Sequence, residues 1–376
     1  MAWTYRPSPV KRVEIAKPGS HKKRILGVPC VRDRVVQQSV KATLEPVFEP
    51  LFSDSSFGYR PGRSAQDAVR QAKDLVTSGR EWVVDLDLAT FFDTINHDRA
   101  LHLVGQHVPD KRILRLIGLT LRSGCLSEGT FIPTPEGSAQ GSPLSPLLSN
   151  IILHELDCEL ESRGLTFCRY ADDSNIFVRS ERSAERVLRS VARFIEKRLG
   201  LTVNREKSAS RHSSKVKFLG MTIISGLIVI SAVSMKRARS TLRELIPRRS
   251  HIPMEEQLAR VNRWYRGWSG YYGMTELPNQ LRQVESRIRV RFRIQKLRNQ
   301  KRRRHVVRTL VARGAKRATA YRTVYDPARR GWWALSHSFV AALSWSNNWF
   351  ASEGMYLASA QEKSHWQPVD FYVKVL

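Results

Sequence analysis

Short runs in which apolar and polar residues alternate predict strands, because successive strand side chains point to opposite faces. Val13-Glu14-Ile15 is one such run. Trp82-Val83-Val84-Asp85-Leu86-Asp87-Leu88 is another, and its period of two sets Asp85 and Asp87 on one face. Phe167-Cys168-Arg169-Tyr170 and Ile176-Phe177-Val178 are β-prone and flank Tyr170-Ala171-Asp172-Asp173, so this stretch reads as a hairpin with two carboxylates at its tip. A second hairpin is predicted over Lys215 to Ile230: Val216, Phe218 and Ile223-Ile224 lead to the turn pair Ser225-Gly226, and Leu227-Ile228-Val229-Ile230 returns.

Helical spacing separates these runs. It predicts a helix near Val35 to Phe48 and one carrying Leu147, Leu148, Ile151 and Ile152 after the loop Pro133-Thr134-Pro135-Glu136-Gly137. An amphipathic helix is predicted near Ala184 to Leu199, with Val187, Leu188, Val191, Phe194 and Ile195 on its apolar side. Leu258, Val261, Trp264, Tyr265 and Trp268 form a further helical stripe. Arg287-Ile288-Arg289-Val290-Arg291-Phe292-Arg293-Ile294 alternates basic and apolar residues, which is a strand period.

Composition adds a partner to this pattern. The 376 residues, 41% hydrophobic, suffice for two to three packed units. Lys and Arg number 63 against 34 Asp and Glu, a net charge of +29, which implies a polyanionic partner and salt-sensitive binding. Between Ser286 and Tyr325 there are 15 Lys or Arg and no acid; Arg302-Arg303-Arg304 within it reads as a phosphate-tracking patch. A ribosomal or chromatin-like protein would share this charge but not the ordered acidic motifs. Neither a signal peptide nor a membrane-length apolar run is recognisable, so a cytoplasmic location is expected. The four cysteines are isolated, which argues against a zinc site or a disulfide framework.

Aspartate pairs commonly cap turns. If the strand of Asp85 and Asp87 lies beside the hairpin, however, three carboxylates converge where two divalent cations could sit about 3.5–4 Å apart, as in polymerases. Oxygen ligands suit Mg²⁺, which keeps waters and binds substrate phosphates.

A family resemblance rests on the order of the motifs. Phe57-Gly58-Tyr59-Arg60-Pro61-Gly62-Arg63-Ser64 comes first, then Asp85-Leu86-Asp87 with Phe91-Phe92-Asp93. Ala139-Gln140-Gly141-Ser142-Pro143-Leu144-Ser145-Pro146 follows, then Tyr170-Ala171-Asp172-Asp173, Asn204-Arg205-Glu206-Lys207 and Lys217-Phe218-Leu219-Gly220. This order resembles the bacterial group II intron reverse transcriptases across nearly the whole chain. The stretch Asn262-Arg263-Trp264-Tyr265-Arg266-Gly267-Trp268 is similar to their maturase-specific thumb.

The resemblance implies an α+β right-hand polymerase, with fingers, an antiparallel-sheet palm and an α-helical thumb or maturase domain; over Arg287–Ile294 it implies a helix where the alternation gives a strand period, and the two readings stay open. Its expected divisions are fingers at 1–79, palm at 80–228, thumb and maturase domain at 229–315, and a basic, Trp-rich segment at 316–376. It implies Asp87, Asp172 and Asp173 as the triad holding two Mg²⁺, with Mn²⁺ as an alternative ion; spacing alone leaves Asp85 and Asp87 open, and the family pattern favours Asp87. Lys207 is implied as a donor to the leaving pyrophosphate. Arg24, Arg63, Phe91, Phe92, Gln140 and Gly141 are implied at the nucleotide or template, with Phe92 preferred as the ring that excludes a ribose 2′-hydroxyl. Arg263, Arg266, Arg302, Arg303 and Arg304 are expected on RNA.

The implied partners are an RNA template, intron RNA, a DNA primer or target and deoxynucleoside triphosphates. The sequence further resembles the endonuclease-lacking type, since paired CxxC motifs of a His-Asn-His nuclease do not occur, and it begins later than the family pattern, as though shortened in the fingers. Two alternatives stand beside an active reverse transcriptase: a splicing maturase with an unused polymerase centre, and a domesticated reverse transcriptase in DNA repair or phage defence.

Overall fold

The computed structural model describes residues 4–16, 23–329 and 331–361. The chain divides into two compact units, and the division falls in the hairpin around Gly220 to Leu227. The first unit runs to Leu219 and takes in Ile223–Gly226; the second takes Gly220–Thr222 and the chain from Leu227 on.

The first unit begins with β1 (Val10–Ala16), β2 (Lys23–Val28), α1 (Val31–Phe48) and α2 (Ala65–Thr77). It continues through β3 (Trp82–Leu86), α3 (His97–Gly105), α4 (Lys111–Leu121), β4 (Cys125–Ser127), β5 (Thr130–Ile132) and α5 (Ser145–Ser162). β6 (Thr166–Tyr170), β7 (Asp173–Val178), α6 (Glu181–Phe194) and β8 (Ala209–His212) complete it. Two four-stranded sheets result, in the orders β2-β1-β4-β5 and β6-β7-β3-β8; the second is antiparallel throughout.

Helix α5 forms the centre of the core. Leu147, Leu148, Ile151, Ile152, Leu156 and Leu160 are all buried on it, so it is apolar nearly all round, as an interior helix must be. Val84 and Leu86 of β3, Phe167 of β6 and Ile176 of β7 join the same core. Burying each such side chain contributes about 1.5–3 kcal/mol, and their alternation turns Asp85 to the opposite face of β3. Helix α6 carries the amphipathic stripe. Beyond Phe194 it widens into a π-helical turn, Ile195–Leu199, closed by Gly200 at φ +68.

The second hairpin is shorter than its sequence pattern. Its strands are β9 (Met221–Ile224) and β10 (Leu227–Ile230), joined through Ser225 and Gly226, both left-handed, the geometry of the turns that favour hairpins. Val216 and Phe218 are buried but lie outside any strand, because Leu219 and Gly220 both take positive φ and interrupt the extended run.

The second unit is helical: α7 (Ala232–Leu245), α8 (Met254–Tyr272), α9 (Asn279–Asn299), α10 (Arg303–Ala312), α11 (Arg317–Tyr325) and four short helices between Trp332 and Gln361. Of the two readings open over Arg287–Ile294, the helix implied by the resemblance holds and the strand period does not, since this segment lies inside α9. Val284, Ile288 and Phe292 are buried at i, i+4 spacing. The alternation persists because Arg293 is buried with them, its Nε and Nη2 donating to the Trp345 carbonyl at 3.0 and 2.7 Å. Arg291 Nε likewise donates to the Ile246 carbonyl at 2.7 Å. Among the described residues no helix is long and apolar enough to cross a membrane.

Candidate active site

The second sheet brings the acids together. Because β7 lies between β6 and β3, the hairpin tip adjoins the end of β3; Leu86 faces Ser174, so the next step of the register sets Asp87 beside Asp173. Asp85 stands one step back, between Asn175 on β7 and Ala209 on β8. At the tip, Ala171 adopts φ +58, an unusual conformation for a residue with a side chain.

Asp85, Asp87, Asp172 and Asp173 line one pocket of about 610 Å³, together with Glu206 and the cations Lys207, Arg211, Lys215 and Lys217. Burial, then the negative charges of Asp85, Asp172 and Asp87, push Asp173 up to about 7, against the opposing pull of Lys217. Burial pushes Asp85 up to about 6; Arg211 opposes this, Asp87 reinforces it and Lys217 opposes it. The Asp87 carboxylate accepts from Lys207 Nζ at 2.9 and 3.3 Å. The Asp87 amide donates to Ser208 Oγ at 3.0 Å, and the Asp87 carbonyl accepts from the Asn204 amide at 2.8 Å, so its backbone is tied down as well.

The donor set fits a hard divalent cation: it is all oxygen, and burial, reinforced by neighbouring carboxylates, raises two of its members toward neutral pH, which a bound cation would reverse. Among the described residues no three His, Cys, Asp or Glu side chains already close around a single point. The fit is therefore one of donor chemistry and charge.

A larger cleft of about 1050 Å³ runs from Asp87 and Asp172 past Phe91, Phe92 and Gln140-Gly141 to β2. Phe91 and Phe92 touch edge to face at 5.3 Å, but they differ in burial: Phe91 is 3% exposed and belongs to the core, whereas Phe92 is only partly buried. The Phe92 carbonyl accepts from the Ser138 amide at 2.6 Å, and the Ile95 carbonyl from the Gly137 amide at 2.7 Å, so this segment and the loop before Gln140 are bound together. The Gln140 carbonyl accepts from the Gly27 amide of β2 at 3.0 Å. Gly141, at φ +126, lies where a Cβ would meet the Gly27 carbonyl oxygen at 3.0 Å. Glycine permits both the conformation and the approach.

Arg24 lies in β2 with its backbone opposite Ile15; its side chain is outside the described residues. Arg63 lines neither cavity. It donates to the Asp54 carbonyl and carboxylate at 2.6 and 2.5 Å and lies over the Phe57 ring. In the second unit Arg263, Arg302 and Arg304 are exposed. Arg266, also exposed, lies over Tyr356, while Arg303 donates to the Val324 carbonyl at 2.7 Å.

Sequence reasoning missed the support beneath the hairpin. Arg169 is wholly buried, and its carboxylate partner Asp157 is equally buried. The signal was a lone cation inside an apolar strand, since a buried charge requires a buried partner. The partner's position on α5 was not readable.

Both units of the chain match known families. Residues 15–223 match the family described as "Reverse transcriptase (RNA-dependent DNA polymerase)". Residues 235–313 match "Group II intron, maturase-specific domain". Protein YkfC of Escherichia coli (strain K12) is 31% identical over 281 residues, covering 63% of this chain and 74% of that protein. Group II intron-encoded protein LtrA of Lactococcus lactis subsp. cremoris is 41% identical over 154 residues, 41% of this chain but 26% of that protein. A solved telomerase from Candida tropicalis, in complex with a fragment of telomeric RNA, superposes with a TM-score of 0.51 at 13% identity. It covers 96% of this chain and 64% of that one, a likeness of fold alone.

Proposed function

We propose that this chain, which belongs to the reverse transcriptase (RNA-dependent DNA polymerase) family and carries a group II intron maturase-specific domain, copies RNA into DNA at the Asp87, Asp172 and Asp173 cluster and engages intron RNA through its basic helical unit. The observation that carries the reading is the convergence of Asp85, Asp87, Asp172 and Asp173, two of them pushed up chiefly by burial, at the mouth of a cleft large enough for a nucleotide and a template base.

Asp87, Asp172 and Asp173 would hold two Mg²⁺, with Mn²⁺ as a substitute and Asp85 as a further oxygen donor beside them. When bound, these ions would activate a primer 3′-hydroxyl and neutralise charge on the leaving pyrophosphate. Lys207 already meets a carboxylate of the site; released from Asp87, its ammonium could serve the triphosphate. Phe92 is the better placed of the two rings to bar a ribose 2′-hydroxyl, because Phe91 is committed to the core. Gln140 and Gly141 would seat the templating base or nucleotide against β2.

The supporting measurement is extension of oligo(dT) on poly(rA) with Mg²⁺ and dTTP. Wild type should extend and Asp172→Ala with Asp173→Ala should not. A folded wild type that binds RNA without extending would instead favour the maturase role with an unused polymerase centre.

A further inference from the structure

We propose that Arg169, held between Asp157 and Asn150, is the positioning residue of the Tyr170 to Asp173 turn, so that a buried polar network beneath the hairpin sets where Asp172 and Asp173 stand. The proposal rests on the reading of those two acids as metal ligands.

Arg169 has no exposed side-chain surface, although it sits within a strand. Its Nε donates to Asp157 Oδ1 at 2.7 Å and its Nη2 to Asp157 Oδ2 at 2.5 Å, a two-pronged pair with both partners fully buried. The remaining prong, Nη1, donates to Asn150 Oδ1 at 3.0 Å and to the Ala171 carbonyl at 3.0 Å. Ala171 is the left-handed residue that immediately precedes the acids. A conformation that L-residues avoid persists only where its surroundings hold it, and here the guanidinium holds the carbonyl that follows the strained φ.

A second grip comes from the side. Asn150 Nδ2 donates to the Gly58 carbonyl at 2.8 Å. The Gly58 backbone presses on the turn so closely that a Cβ would overlap the Ala171 amide nitrogen and come within 2.9 Å of the Tyr170 carbonyl carbon. The Phe57 amide donates to the Arg169 carbonyl at 2.9 Å, and the Arg169 amide to the Ser55 carbonyl at 2.8 Å. Asn150 thus links the guanidinium to the strap that lies against the same turn.

Core stability alone does not account for this arrangement. A buried ion pair contributes little that well-packed apolar residues would not, whereas a planar fork can address three acceptors at fixed angles. A lysine could neutralise Asp157 but could not also reach Asn150 and the Ala171 carbonyl with a single nitrogen.

The test uses the full chain with Arg169→Lys and, in parallel, Asn150→Ala, which leaves the ion pair intact. Folding is checked by circular dichroism and thermal melting. Three readouts follow: kcat and KM for dTTP on poly(rA)/oligo(dT), the Mg²⁺ concentration for half-maximal rate, and hydrogen exchange of the amides from Tyr170 to Ser174 without Mg²⁺ or nucleotide. Arg169→Lys should lose about a hundredfold in kcat, the scale of a displacement near 1 Å, with KM for dTTP little changed. It should need more Mg²⁺, and its turn amides should exchange faster while the rest of the protein does not. Asn150→Ala should move all three readouts in the same direction by less, and it decides the matter if the lysine variant does not fold. Wild-type kcat, Mg²⁺ dependence and turn exchange in the folded variants would overturn the proposal. Asp173→Ala serves as a separate control: if it extends primers normally, the metal-ligand reading is wrong, and the exchange data still judge the positioning role.

Discussion

The two units handle crowded charge in opposite ways. In the first, four aspartates and Glu206 share a pocket, and burial with mutual repulsion pushes Asp85 up to about 6 and Asp173 up to about 7. In the second, burial pulls Arg291 and Arg293 down to about 10, with Arg287 and Arg289 as their respective nearest like charges, yet both remain far above neutral pH. These arginines have found internal acceptors. Arg291 meets the carbonyl of Ile246 just past α7, Arg293 that of Trp345 after the short helix Phe339–Ser344, and Arg303 that of Val324 in the last turn of α11. Each cation therefore sits at the carbonyl end of a helix, where unpaired oxygens and the helix dipole favour it. The carboxylates are only partly offset: Lys207 pairs with Asp87, Lys217 pulls against the upward shifts of Asp85 and Asp173, and Arg211 against that of Asp85. Charge satisfied within the fold is structural, and charge left crowded calls for a ligand.

The largest expected effect would break this contrast outright. Asp173→Ala should reduce primer extension by about a thousandfold or more, on the scale of losing a preorganised charge at a reaction centre. Retention of RNA on a filter at low salt should not change. Equal loss of both activities would mean that the acids serve the fold.

Next comes Arg293→Met, which leaves the buried Trp345 carbonyl without its charged donor. It should destabilise the protein by about 2–3 kcal/mol in urea denaturation. A neutral result would reduce the helix-end arginines to surplus charge.

A comparable or smaller effect is expected at Asp173 itself. Its folded-state value lies above that of an unfolded aspartate, so between about pH 4 and pH 7 the native state binds more protons than the unfolded state. Stability without divalent ions should therefore fall as pH rises through that window. Asp173→Asn should reduce this slope to the smaller part that Asp85 contributes up to about pH 6, and raise stability at pH 8 by on the order of 2 kcal/mol. Thermal melts of both proteins at pH 5 and pH 8 in EDTA would expose an absent or inverted slope.

The smallest effect sharpens the other side of the comparison. Arg302→Ala with Arg304→Ala, both exposed, should weaken RNA binding with little sequence dependence. The slope of log Kd against log salt should fall by about two. Extension at saturating template should be preserved.

Much of the site was legible in the chain itself. The period of two in β3 set Asp85 and Asp87 on one face, the paired acids at a predicted turn supplied a second carboxylate group, and the motif order carried the family. Helix α9 was not legible from its pattern. Alternating arginines inside a helix make sense only once the carbonyl ends of other helices are seen to receive them, and those partners lie 45 and 52 residues away in sequence. The second hairpin is shorter than its pattern for a local reason, the paired positive φ values at Leu219 and Gly220, which hydrophobic alternation does not record. Arg63 stands in a recognised motif, but its guanidinium is bound to Asp54, a pairing that depends on how the loop between them folds back.

By itself, then, the sequence determined which side chains could carry the chemistry and the strand faces they occupy, because periodicity and residue type are local properties. Tertiary structure alone decided that β7 lies between β6 and β3, bringing Asp87 beside Asp173. It also decided that Phe91 turns into the core while Phe92 stays partly exposed at the cleft, and that Asp157 on α5 meets Arg169 beneath the turn. Those outcomes depend on strand order and on the compensation of buried charge, both set by contacts between segments distant along the chain.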